Sequence, residues 1–262
     1  MSNLIKIDCS NILIDNSVNL KVIYLNSRSC RNKTTEINDL IIEKNADLVF
    51  ISETWLKDND CTITKNLVPP SYSIVSRNRK SRTGGGVAII YRTSFTVLST
   101  SYVRNDFSSF ESCHIKIKTL DSKTCFFTCI YRPPKSAKNK VPFSTFISEF
   151  NELCEDLSNE QYLYMFGDFN IDFKNSAGKN VCDFKSLIYE HDLTQCIDEK
   201  THISGHVLDL CLYRCLTDAF IELPVVDDIC ISDHFVITAT LPFSKPKQIK
   251  DTIKVRNIKI LI

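Results

Sequence analysis

Glycine, tryptophan and methionine are scarce in this sequence: six, one and two residues out of 262. With only eight prolines besides, collagen-like and low-complexity classes are excluded. No apolar run approaches the roughly 18 residues of a membrane span. The opening MSNLIKIDCSNILIDN lacks a basic segment followed by an apolar core, so no secretory leader is expected. The twelve cysteines include no Cys-x-x-Cys pair, the closest spacings being Cys125/Cys129 and Cys211/Cys215. A zinc ribbon is therefore not expected. The thiols read as buried groups of a reducing compartment, nucleus or cytoplasm, and not of a secreted protein.

What is present is ordinary for a globular chain: 43% hydrophobic, 24% charged and 10% aromatic residues. That is enough apolar surface for a sizeable core, which excludes disorder as the main state. The net charge is +1, yet Lys245, Lys247, Lys250, Lys254, Arg256 and Lys259 face Asp251 alone after residue 242. The rest of the chain is therefore slightly acidic. It does not read as a wholesale electrostatic binder of nucleic acid, and it is compatible with a carboxylate-lined metal site. The expected organisation is a leader over 1–20, one domain over 21–242 and a basic connector over 243–262, in a monomer.

Periodicity predicts a strand at Lys21–Leu25, a helix over Asn32–Asn45 and a strand at Asp47–Ser52, hence a parallel pair with a helix packed on it. Strand-like runs without an intervening helix follow at Tyr72–Ser76, Gly86–Arg92, Glu111–Lys118 and Cys125–Tyr131. Helices are expected from Pro142 to Leu157 and from Val181 to Glu190, with strands at Tyr162–Phe166, Leu208–Tyr213, Phe220–Leu223 and Phe235–Leu241. The mixture points to an α/β (α+β) fold: two mixed β-sheets packed face to face with helices outside, a four-layered sandwich.

Polar residues sit at the ends of apolar strands in five places. Asn26 follows VIYL, Glu53 follows LVFIS, Asp168 and Asn170 follow YLYMFG, Asp209 lies within VLDLCL, and Asp233-His234 precedes FVITATL. Carboxylates and amide oxygens suit a hard cation, Mg²⁺ or Mn²⁺. A histidine beside aspartates suits proton transfer or phosphate stabilisation. Taken singly, an acidic residue at a strand end is more often a turn or capping group, and a lone histidine more often structural.

The order of all five resembles the endonuclease/exonuclease/phosphatase family, the deoxyribonuclease-I-like fold, with Asn26 (YLNSRS), Glu53 (SETWL), Tyr131 (IYRPP), Asp168 and Asn170 (GDFN), Asp209 (LDL) and Asp233-His234 (SDH) as matching residues. SRNRKSRTGGGVAIIYR and THISGHVLDLCL look further like the endonuclease domain of non-LTR retrotransposons of the jockey and chicken-repeat type. The resemblance implies a Mg²⁺-dependent DNA endonuclease acting on double-stranded DNA and leaving a 3′-hydroxyl. It implies Glu53 and Asn26 as metal ligands, with Asp233 at a second metal position. Asp168 would activate water, Asn170 and Tyr131 would contact the phosphate, and His234, oriented by Asp209, would stabilise the transition state. The reverse transcriptase that follows such a domain is absent from the chain. Two rival functions stand beside this one: a catalytically silent nucleic-acid-binding remnant, and another phosphodiesterase or phosphatase of the same fold.

Apurinic endonucleases usually carry an arginine where this sequence has Val207, which argues against abasic-site specificity. Thr201 resembles a DNA-contacting threonine and also suits a turn cap. Arg77, Arg79, Lys80 and Arg82 form a basic loop, with Arg79 and Arg82 read as DNA-binding or as a solvated hairpin tip. Trp55 is placed to stack on a base or to pack under its loop. His202 and His206, flanking Gly205, read as a loop rather than a zinc pair.

Overall fold

Apolar, β-branched runs become the strands of two facing sheets, and the amphipathic segments between them become the outer helices. The computed structural model describes residues 4–6, 19–80, 84–100, 107–137, 139–246 and 254–256. In chain order, β1 (Leu4–Lys6), β2 (Asn19–Asn26), α1 (Thr34–Glu43), β3 (Leu48–Ser52) and α2 (Cys61–Leu67) come first. Then follow β4 (Tyr72–Arg77), β5 (Val87–Arg92), β6 (Thr96–Ser99), β7 (Glu111–Lys118) and β8 (Thr124–Tyr131). The remainder is α3 (Phe143–Asp156), β9 (Leu163–Asp168), α4 (Lys179–Glu190), β10 (Thr194–Gln195), β11 (Asp209–Arg214), β12 (Glu222–Asp227), β13 (Val236–Ser244) and β14 (Lys254–Arg256).

One six-stranded sheet runs β12-β13-β2-β3-β5-β4 and the other β10-β11-β9-β8-β7-β6, while β1 and β14 form a separate two-stranded ribbon. Each large sheet is mixed. β2 and β3 are parallel across the α1 crossover, and β8 and β9 are parallel across α3. This is the expected four-layered sandwich.

The central strands are buried on both faces, which is why VIYL and LVFIS read as unbroken apolar runs. Val22, Tyr24, Leu48 and Phe50 turn toward the opposite sheet. Ile23, Leu25, Val49 and Ile51 turn outward beneath Ile37, Leu40 and Ile41 of α1. Between the sheets, Phe50 stacks on Phe166 at 4.8 Å between ring centroids. Phe146 and Phe150 of α3 and Phe184 of α4 close the other outer layer. Each such buried ring or branched side chain contributes about 1.5–3 kcal/mol.

Three differences from expectation have physical reasons. Helix α2 is short and buries only Leu67, so it leaves little periodic signal. β12 lies two residues later than Phe220, because Phe220 packs on Tyr213 at 5.2 Å and the pairing with β13 is irregular between Glu222 and Val225. The last strand of the sandwich continues past residue 242. Phe243 is fully buried, and the Lys245 ammonium reaches buried Asp47 at 2.9 Å. Asp47 also accepts from Arg92 Nε at 2.9 Å and from the Lys21 backbone at 2.8 Å. Residues up to Lys245 are thus tied to the sandwich, since removing one partner of such a buried group costs about 3–5 kcal/mol.

Cys30, Cys113, Cys125, Cys129, Cys154 and Cys211 are buried, Cys196 and Cys215 are half-buried, and Cys61, Cys182 and Cys230 are exposed. Burial pushes the Cys30 and Cys154 thiols up to about 12, and it raises Cys113, Cys125 and Cys211 as well.

Candidate active site

Strand register lines up the polar residues at one end of the sandwich. Tyr131 pairs with Asp168 across β8 and β9, and Asp168 pairs with Asp209 across β9 and β11. Glu111 pairs with Tyr131 on the far side of the same row. In the other sheet Asn26 pairs with Ser52, so Glu53 emerges beside Asn26. Gly167 permits this convergence: a Cβ there would lie 2.3 Å from the carbonyl oxygen of Ile130. Glu53, Trp55 and Asn170 hold positive φ angles of 52°, 54° and 49°, the strained backbone that gathers at functional loops.

His234 Nδ1 and Asp209 Oδ2 are 2.7 Å apart. The second Asp209 oxygen accepts from the Tyr24 hydroxyl at 2.8 Å. Burial alone would push the His234 pKa down, but Asp209, Asp168 and Asp233 outweigh it and raise it to about 9. The imidazole is therefore cationic at neutral pH, with Nε2 as a donor. The backbone N–H of His234 donates to Ser232 Oγ, and that hydroxyl donates to the carbonyl of Asn26 at 2.6 Å.

Asp168 lies 4.0 Å from His234 Nε2. Burial, Asp209 and Glu53 raise its pKa, against the opposing charge of His234. It accepts from the Asn170 backbone at 2.8 Å, from Asn170 Nδ2 at 2.9 Å and from Asn26 Nδ2 at 3.0 Å. Glu53 accepts from Asn26 Nδ2 at 3.2 Å and from the Trp55 indole at 3.1 Å. Burial and the charges of Glu53 and Asp168 raise the Tyr131 hydroxyl, so it stays protonated and donates.

Four of the expected site residues are engaged within the protein. Asn26 turns its amide N–H₂ to the carboxylates, while its oxygen accepts from the Arg28 backbone at 2.9 Å. In this arrangement Asn26 presents its amide N–H₂ to Glu53 and Asp168. Both Asn170 amide hydrogens are engaged, one by the Arg132 carbonyl at 2.9 Å and one by Asp168, so Asn170 positions Asp168 rather than offering a free donor to phosphate. Thr201 is fully buried, and its hydroxyl accepts from the backbones of Leu208 and Asp209, each at 3.0 Å. It fixes the backbone entering β11 at Asp209. Arg79 folds inward onto Glu111 and over the Tyr131 ring at 5.6 Å, so its charge is not displayed on the surface. Arg82 lies outside the described residues.

The remaining residues are placed as follows. Trp55 is 38% exposed, and its ring backs onto Gly84. His206 pairs with Asp172 at 2.9 Å. His202, however, bridges to His234 and has its Nε2 3.5 Å from Asp233. Asp233 also accepts from Arg28 at 2.6 Å. Tyr24, Arg28 and Glu111 were not singled out from sequence, and His202 reads there as a loop residue; Tyr24 reads there as core, and only register brings Glu111 into the row.

The donor set fits a hard divalent cation. Four carboxylates, Glu53, Asp168, Asp209 and Asp233, converge against His234 and Arg28, and Asp233 Oδ1 is buried with no hydrogen-bond partner. Asp168, Asp209 and His234 offer ligand atoms within 4.8 Å of one another, as do His202, Asp233 and His234.

Residues 17–234 match the Endonuclease/Exonuclease/phosphatase family. No curated protein sequence matches the chain significantly. Among solved structures, the endonuclease domain of TRAS1, a telomere-specific non-LTR retrotransposon, superposes with a TM-score of 0.65 at 13% identity, covering 85% of this chain and 98% of that one. A 3′ phosphatase from Neisseria bound to a product DNA hairpin gives 0.64 at 16% identity, with 85% and 99% covered. The AP endonuclease of Leishmania major gives 0.66 at 13% identity, with 92% of each chain covered. At these identities the likeness is one of fold. Among the described residues no helix is long and apolar enough to cross a membrane.

Proposed function

The chain belongs to the endonuclease/exonuclease/phosphatase family of metal-dependent phosphoesterases and nucleases, and on that footing we propose that it is a Mg²⁺-dependent DNA endonuclease that nicks target DNA in retrotransposition. One observation carries the reading: a cationic His234, held by Asp209, faces an Asp168 of raised basicity across 4.0 Å. A phosphodiester needs such a pair, one group to take a proton from water and one to neutralise charge on phosphorus.

In this proposal Asp168, fixed by Asn170 and Asn26, orients the attacking water and accepts its proton. His234 donates through Nε2 to a non-bridging phosphate oxygen. The Tyr131 hydroxyl donates to the phosphate from the other side of the row. Asp209, clamped by Tyr24 and Thr201, keeps the imidazole charged and correctly turned. Glu53 and Asp233 would hold Mg²⁺, which when bound supplies charge neutralisation at the leaving oxygen. The 3′-hydroxyl product and a nuclear site of action belong to the same proposal.

The test is nicking of supercoiled plasmid with Mg²⁺, with EDTA and with His234→Ala. Metal-dependent nicking should fall by at least ~100-fold in the variant, the usual loss for a charge-stabilising group. Nicking that survives in His234→Ala would place the chemistry elsewhere. A folded protein that binds DNA without cutting it would favour a silent remnant, and cleavage confined to other phosphoesters would favour a different phosphoesterase.

A further inference from the structure

Where β2 ends, the chain turns on two successive non-glycine residues in left-handed backbone, Arg28 at φ 42° and Ser29 at φ 81°. The turn is locked to the loop that carries Glu53. The Arg28 backbone N–H donates to Asn26 Oδ1 at 2.9 Å, and those of Ser29 and Cys30 donate to the carbonyls of Glu53 at 2.7 Å and Thr54 at 3.1 Å. What the strained turn presents is the Arg28 side chain. It gives Nη1 to Asp233 Oδ2 at 2.6 Å with 62% of its side-chain surface still exposed. An ion pair that exposed contributes less than two left-handed residues cost, so stability does not account for the turn.

Neighbouring cations are engaged within the fold. Arg31 pairs with Asp60, Lys33 donates to the Ser27 carbonyl at 2.7 Å, Arg79 folds onto Glu111, and Arg132 Nη1 donates to the Phe169 carbonyl at 3.0 Å. Arg28 differs. It holds Asp233 with one nitrogen, and among the described residues its Nε and Nη2 have no partner. A guanidinium is a rigid planar fork, so a carboxylate that fixes one nitrogen fixes the direction of the others. Those donors stand at the edge of the site, beside the residue that precedes His234. Asp233 Oδ1, the oxygen that Arg28 leaves alone, is buried and unpartnered, so the guanidinium and a metal would use different oxygens.

We propose that Arg28 is a phosphate-binding residue: held in place by Asp233, its guanidinium takes a backbone phosphate of the bound DNA strand. The proposal rests on the endonuclease reading above and names a contact of that same site.

Anisotropy of a short labelled DNA duplex, read in EDTA across a salt series, measures this contact apart from cutting. Each phosphate that a protein neutralises contributes about 0.9 to the slope of log K against log salt. Arg28→Met and Arg28→Gln, each checked by thermal melting, should each lower the slope by about that amount. Low-salt binding should weaken by at least ~10-fold, the worth of a hydrogen bond to a charged group. Arg28→Lys, which keeps the charge and loses the fork, should restore most of the slope. Lys118→Met removes an equal charge at the exposed far end of β7 and should bind as the parent does; a matching loss there would reduce the effect to net charge and overturn the proposal. In an Asp233→Asn background Arg28→Met should still lower the slope. If the effect vanishes there, Arg28 only neutralises Asp233 and the proposal falls. It falls too if the Arg28 variants keep the parent slope, and the endonuclease reading then stands. A parent that binds no duplex overturns that reading, and the proposal with it.

Discussion

Asp209→Asn separates charge from geometry at the active site. In the parent, burial pushes the His234 pKa down and Asp209 supplies the main opposing push, leaving it at about 9. At pH 7.5 roughly 97% of the imidazole is then cationic. With a neutral amide at position 209, burial is opposed only by Asp168 and Asp233. A value no higher than the unperturbed ~6.5 leaves roughly 9% cationic at that pH, a tenfold loss, and the shift amounts to about 3 kcal/mol. A bound divalent cation lowers both values, so the comparison between the two proteins is the measurement. Initial nicking rates from pH 5 to 10 at saturating Mg²⁺ should show the alkaline limb of the variant at least one pH unit below that of the parent. The same linkage acts on stability. A raised folded-state pKa stabilises fully below the unfolded value of ~6.5, and that stabilisation is lost as pH rises through about 9. The parent's advantage in melting should therefore shrink across that window. A variant whose limb does not move, whatever its rate, would refute the electrostatic role and leave Asp209 as a positioning group alone.

Three further outcomes follow from the same geometry. His114, held near pKa 3, stabilises above its unfolded value and progressively less as pH falls toward 3; at pH 5 urea melts of the parent should lose about 2 kcal/mol more than those of His114→Asn, and equal losses would count against a buried neutral ring. Gly167→Ala places a methyl 2.3 Å from the Ile130 carbonyl oxygen, so it should destabilise by about 1–3 kcal/mol and slow nicking beyond what the melting shift explains; an unchanged melting temperature would contradict the close approach. Glu53→Gln should raise the Mg²⁺ needed for half-maximal nicking by at least ~10-fold, as expected for disturbing a metal's ligand set, and an unaltered Mg²⁺ curve would remove Glu53 from it.

The two sheets were legible because VIYL, LVFIS and YLYMFG are buried on both faces and so carry continuous apolar runs. The parallel pairs followed from the helices that separate them. The motif order brought the right side chains into one neighbourhood, yet it could not say which atoms they offer. Asn26 and Asn170 each have a donor end and an acceptor end, and only the folded loops decide that both donors turn to Asp168. Thr201 is polar in sequence and fully buried in space because the two backbone N–H groups leading into β11 need an acceptor. Tyr24 sits in an apolar strand and reads as filling, although its hydroxyl reaches Asp209. Helix α2 buries a single side chain, too few to mark a period.

The distribution of thiols turns the protein into its own stopwatch. Cys61, Cys182 and Cys230 stand in solvent, while Cys30 lies in the outer apolar layer beneath α1 and Cys125 and Cys211 lie between the sheets. A closed, protonated thiol is inert to alkylating reagents until its surroundings open. Labelling of the exposed three, followed residue by residue and apart from half-buried Cys196 and Cys215, therefore checks the reagent. The rate at which Cys30 takes up label times the opening of one layer, and the rate at Cys125 and Cys211 times the parting of the two sheets, so the order in which the sandwich comes apart is written in which sulfur reacts first.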